Sequence, residues 1–118
     1  MRATLRSLDF DPDPGDLPAD PSAFRFNARL TVGPDDGPGD ETFDVTVCTP
    51  EWLSQACRAS GGIYDARHHV VVTLDQFDRR VLRDWFVRRV QGVEGDNWSR
   101  IGHRLGRLGF WEFEDYAS

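Results

Sequence analysis

The residues best suited to covalent chemistry are two cysteines, Cys48 and Cys57, and three histidines, His68, His69 and His103. Cys48 stands just ahead of an expected helix start, where the positive end of the helix dipole can lower a thiol pKa and create a nucleophile. Such a thiol needs an imidazole beside it, and every histidine lies well away from Cys48 in sequence. Cys57 falls on the apolar side of the same helix, and both cysteines read more simply as small core residues. His68 and His69 are neighbours, and neighbours in a strand point to opposite faces, so the pair cannot readily share a metal. His103 falls on the polar side of a helix. The chain has no phosphate-binding Gly loop, no HExxH and no cysteine pair at ligand spacing. The expectation is no catalytic set, no metal and no cofactor.

The charges are segregated. Arginine supplies all 14 basic residues against 20 acidic ones, for a net charge of −6. Five aspartates and no base fall between Asp9 and Asp20, and Asp35, Asp36, Asp40, Glu41 and Asp44 form a second one-sided stretch. Arginines gather at positions 79–89 and 100–107, and acid returns at Glu112, Glu114 and Asp115. An arginine-rich helix could track phosphates, but the acidic balance argues against a nucleic-acid partner. The two signs could form a molecule with polar ends, or neutralise each other in space.

The 118 residues, 39% of them hydrophobic, suit a single domain spanning 1–118. No apolar run approaches the roughly 20 residues that span a bilayer. Met1 to Phe10 lacks the apolar centre of a signal peptide. A cytoplasmic protein without a membrane partner is expected.

Period-two alternation sets the frame. Residues 2–8 read as a first strand, and the Pro/Asp-rich stretch 11–21 as a loop. In residues 23–32, Phe24, Phe26, Ala28, Leu30 and Val32 share one face, while Arg25, Asn27, Arg29 and Thr31 share the other. After a Gly/Pro/Asp turn the pattern resumes at Phe43, Val45 and Val47, which makes an antiparallel hairpin. Thr49 can cap a helix with Pro50 at its first position and Trp52, Leu53, Ala56 and Cys57 on its apolar side. His69 to Thr73 reads as a short buried strand. Thr73 and Gln76 have capping-box spacing for a second helix, with Phe77, Val81, Leu82, Trp85, Phe86 and Val90 inward. Asp96 is expected to cap a third helix, and residues 110–115 to form a last strand. The four tryptophans, Trp52, Trp85, Trp98 and Trp111, all fall at inward positions and read as core. The fold class is α+β, in the order β-β-β-α-β-α-α-β: a mainly antiparallel sheet with about three helices packed on one face.

Three stretches taken together resemble the immunity protein 8 family of bacterial polymorphic toxin systems. They are Cys48-Thr49-Pro50-Glu51-Trp52-Leu53, then Glu94-Gly95-Asp96-Asn97-Trp98, and finally Gly109-Phe110-Trp111-Glu112-Phe113-Glu114-Asp115-Tyr116. The resemblance runs from the first strand to Tyr116. It implies a small cytoplasmic α+β protein, encoded beside a toxin that it binds and neutralises without catalysis. The motif residues Cys48, Thr49, Pro50, Trp52, Leu53, Trp98, Trp111, Glu112, Phe113 and Tyr116 coincide with a cap, helix starts and a core strand, which is a structural pattern. Toxin contacts are then expected on the acidic loops, where no family pattern is matched: Asp35, Asp36, Asp40 and Glu41 in one, Asp11, Asp13 and Asp16 in the other. Two other classes stay open, a small enzyme using Cys48 or a histidine and a regulatory module whose partner is not a toxin. An exposed edge strand could also pair with a second copy.

Overall fold

Alternating apolar side chains decide which face of the sheet is dry. In the computed structural model, which describes residues 1–12, 22–73 and 78–111, the first strand β1 (Ala3–Asp11) pairs antiparallel with β2 (Arg25–Pro34). Strand β2 in turn pairs antiparallel with β3 (Glu41–Cys48). The register sets Phe26 opposite Val47, Ala28 opposite Val45 and Leu30 opposite Phe43, and all six are buried. Opposed apolar pairs of this kind are the unit of sheet stabilisation. On the reverse face Arg29 pairs with Asp44 at 3.0 Å.

From β3 the chain enters α1 (Pro50–Ala59), then returns through β4 (His69–Val71), which lies parallel to β3. Helices α2 (Arg79–Gln91) and α3 (Trp98–Leu105) follow, and β5 (Phe110–Trp111) closes the chain antiparallel on β3. The sheet order is β1-β2-β3-β4, with β5 on Phe43 and Asp44 of β3 and β4 on Thr46 to Cys48. The α+β expectation and its element order hold, with one parallel pair in a mostly antiparallel sheet.

Leu82, Phe86 and Val90 of α2 and Ile101 and Leu105 of α3 join the strand residues in one apolar cluster. Gly109 lets the chain return onto β3, because a Cβ there would lie 2.9 Å from Val45 Cγ2. Helix α1 stands apart from this packing. None of its residues is fully buried, and Trp52 lies against Arg25 and His69, whose positions alternate with the core residues Phe26 and Val70. Packing on the apolar face therefore belongs to α2 and α3.

Several boundaries differ from the sequence expectation. Helix α2 begins at Arg79 rather than after Thr73, because Asp78 takes the extended cap conformation and its carboxylate accepts from Val81 N at 2.8 Å. Asn97, not Asp96, caps α3, accepting from Arg100 N at 2.9 Å. Strand β4 ends at Val71, and it is an edge strand rather than a buried one: Val71 is 49% exposed. Val81, expected inward, is 54% exposed because it faces past the sheet edge. Trp85 and Trp98 are half-buried against the core, whereas Trp52 belongs to a separate aromatic group.

Candidate functional site

The acidic turn between β2 and β3 is built around Arg6. The β1–β2 register slips between Leu5 and Ser7, which leaves Arg6 as the extra residue of a bulge. Bulges re-aim side chains, and this one directs the guanidinium over the turn. Arg6 Nη2 donates to the carbonyl oxygens of Pro34 at 2.8 Å and Gly37 at 2.7 Å, and Nε meets Asp40 Oδ1 at 3.1 Å. Gly33 lies directly beneath, where a Cβ would come within 1.9 Å of Arg6 Nε and 2.4 Å of the Gly39 carbonyl. Asp35 N donates to Arg2 O at 3.0 Å, tying the far side of the turn to the start of β1.

Asp35, Asp36 and Asp40 are exposed as expected, and Glu41 is half-exposed at the head of β3. Asp40 is not a free charge, because Arg6 holds it. Glu94 extends the acidic surface: with Met1, Arg2, Asp35 and Asp36 it lines an open depression of about 390 Å³. Arg2 Nε donates to Glu94 Oε1 at 3.0 Å, and this hydrogen bond, with the attraction of the charges second, holds the Glu94 carboxyl below its ordinary range.

Asp11 does not join this group. It pairs in register with Asn27, at the other end of β1 from Ala3 and Pro34, roughly 25–30 Å away over nine strand residues. Asp13, Asp16, Glu112, Phe113 and Tyr116 lie outside the described residues, and Trp111 is described only through its backbone pairing with Phe43.

Beside Glu94 the sign reverses. Arg100, His103, Arg104 and Arg107 of α3 and the turn after it, with Asn97 and Ser99, line an open depression of about 590 Å³. Arg104 Nη1 donates to the Glu94 carbonyl oxygen. Acidic and basic surfaces thus adjoin at this end of the molecule instead of cancelling throughout.

The opposite end of the sheet is aromatic. Thr49 Oγ1 accepts from Trp52 N at 3.4 Å as the α1 cap, and from Phe24 N at 3.2 Å, while Thr49 N donates to Phe24 O at 3.1 Å. One buried side chain therefore starts the helix and extends the β2–β3 ladder. The Trp52 ring stacks at 6.0 Å on His69, meets Tyr64 edge-on at 5.8 Å and carries the Arg25 guanidinium at 5.7 Å. His69 is fixed on both nitrogens. Nδ1 lies 2.7 Å from the Arg67 carbonyl oxygen, so it carries the proton, and Nε2 meets Tyr64 Oη at 2.8 Å. Cys48 is fully buried under this end, and burial pushes its thiol pKa up, against a smaller opposing pull from Arg25. That is the reverse of what a thiolate nucleophile requires. Among the described residues no three His, Cys, Asp or Glu side chains converge as a metal site.

The residue patterns give Arg6, Arg25 and Tyr64 no functional role, and they point to His69 only as a base or metal ligand, not as a partner of Trp52. The bulge did leave a trace: apolar positions run odd at Ala3 and Leu5, then even at Leu8 and Phe10. The meeting of Tyr64 and His69 with Trp52 has no spacing signal, because it depends on how the β3–α1–β4 crossover closes.

The described residues form a small α+β protein with a charged end and a half-buried aromatic end. The chain belongs to the family described as Immunity protein 8, whose model matches residues 3–116. No curated protein and no solved structure matches it. Among the described residues no helix is long and apolar enough to cross a membrane.

Proposed function

We propose that this protein binds a cognate toxin encoded nearby and neutralises it in the cytoplasm of the producing cell, with the acidic turn Asp35, Asp36, Asp40 and Glu41 as the surface that steers the encounter. Membership of an immunity-protein family over nearly the whole chain is the observation that carries the reading. The anchored turn supports the choice of surface. Arg6 fixes the turn through backbone carbonyls, so Asp35 and Asp36 are carried on a pre-ordered frame, and a pre-ordered contact loses less entropy on binding. One-signed charge on such a frame accelerates association with a basic partner. Against a toxin with a basic substrate groove, the carboxylates would stand in for phosphates.

Co-expression with the product of the adjacent reading frame tests the function. Growth is expected to be arrested by that product alone and restored when this protein is present, with a complex recovered by gel filtration. A harmless neighbour, or arrest that persists without complex formation, would refute the reading.

A further inference from the structure

We propose that the open edge of β4, with the apolar groove between it and α2, receives an extended strand of the partner protein whose side chains alternate between apolar and acidic. Naming that partner as the toxin rests on the immunity reading; the chemistry of the site does not. Three observations converge on it. The first is backbone polarity. Thr46 N donates to His68 O at 2.9 Å and Val72 N to Cys48 O at 2.9 Å, and in a parallel ladder this turns the N–H and C=O of His69 and Val71 away from β3. No described residue pairs with those groups, and β5 occupies the other half of β3, at Phe43 and Asp44.

The second observation is the groove. Val70, Val71, Val72 and Thr73 line it together with Val81, Leu82 and Trp85, over about 300 Å³, and Val71 and Val81 are 49% and 54% exposed. An added strand projects alternate side chains to one face, so its apolar positions would fill this groove while its backbone bonds to Val71.

Charge is the third observation. Helix α2 carries five arginines and one aspartate, Asp84, and Asp78 spends its carboxylate on the cap. Arg88 and Arg89, three and four residues beyond Trp85, continue the groove-lining face of the helix. They select acid in the arriving strand. The same charge disfavours a second copy of this chain, since β4-to-β4 pairing would bring two arginine-rich helices together.

The test uses the full chain and a short capped peptide of alternating Glu and Val, with a Lys/Val peptide as control, read by amide chemical shifts at low salt. The Glu/Val peptide is expected to shift His69 to Thr73, Val81 and Trp85, and the Lys/Val peptide to leave them unmoved. Val71→Pro removes one outward N–H without touching the β3 ladder and is expected to weaken peptide binding about tenfold. Arg88→Glu with Arg89→Glu, one helical turn beyond the groove-lining Trp85, should reverse the preference between the peptides. Shifts elsewhere, equal response to both peptides, no response at millimolar peptide, or concentration-dependent shifts at β4 without peptide would each overturn the proposal. Growth rescue that survives such a result would leave the immunity reading standing, so the two fail separately.

Discussion

The two ends of the sheet solve the problem of ending a hairpin with opposite chemistry. At the turn end, a guanidinium on a bulge collects carbonyl oxygens and a carboxylate, and both members of the ion pair stay in contact with water. At the α1 end, one buried hydroxyl joins strand to helix and a half-buried ring stack of Trp52, Tyr64 and His69 covers the junction. The first end displays charge over a framework of hydrogen bonds. The second invests apolar area and a buried polar group, so it is where substitutions endanger the fold. Displayed charge and buried hydrogen bonding are therefore separated along the strands.

That comparison is broken most directly at Thr49. Thr49→Ala removes the α1 cap, a loss of about 0.5–2 kcal/mol. It also orphans the buried Phe24 N–H, which adds about 1–3 kcal/mol. Thr49→Ser keeps the oxygen and should recover most of the difference in a denaturant melt. Equal stability of the Ala and Ser variants would show that the hydroxyl does not hold this end.

Gly33→Ala should be the costliest change at the turn end, about 1–3 kcal/mol, because a backbone carbonyl and the Arg6 side chain must both give way. Toxin association should slow as well, since the turn loses its anchor. Gly37→Ala is the control, as a Cβ there meets nothing within 4 Å. Matching melting temperatures for the two variants would mean that Arg6 does not clamp the turn.

How far these regions were legible follows from the same physics. The β2–β3 hairpin is written in period-two alternation, which no other element satisfies, and the exposure of Asp35 and Asp36 follows from a turn rich in Gly and Pro. Tertiary choices were not written. Asp78 and Asn97 cap their helices where Thr73 and Asp96 were expected, because several cap-competent residues stand close together and only packing selects the one that turns extended. Trp52 has core spacing on its helix, but the crossover sets α1 on the side of Arg25 and His69. Val81 has helical phase for the core yet lies beyond the sheet edge. The acidic side of the candidate surface was visible and its arginine tether was not, since the bulge that aims Arg6 appears only as a change of parity.

Charge reversal on the turn sharpens the comparison at little cost to the fold. Replacing Asp35, Asp36, Asp40 and Glu41 by Lys should shift stability by no more than about 1 kcal/mol per site, with the loss of the Arg6–Asp40 pair at the upper end. The on-rate with the cognate toxin should fall, and its salt dependence should weaken, in stopped-flow at low and physiological salt. Unchanged association at both salts would remove the turn as the steering surface and leave the β4 edge and Asp11 as candidates.

The smallest expected effect is at Glu94, and it separates a formed ion pair from two charges that are merely close. Hydrogen bonding from Arg2, then its charge, lowers the Glu94 pKa, with minor help from the N-terminus and Arg104 and opposition from desolvation. A depressed folded pKa means that the carboxylate's contribution is present above the unfolded value, near 4.3, and is lost as pH falls through the folded one. Both side chains are more than half exposed, so the contribution to stability should be slight and screened by salt. A carboxyl-carbon NMR titration reads the pair directly. Glu94 should titrate below the ordinary glutamate range in the parent protein, and Arg2→Ala should return it to that range. High salt should move it the same way but less far, because the hydrogen bond is the larger cause. If Glu94 already titrates in the ordinary range, the Arg2 side chain does not fix this edge of the acidic surface, and the turn end is ordered by Arg6 and the Asp35–Arg2 backbone bond.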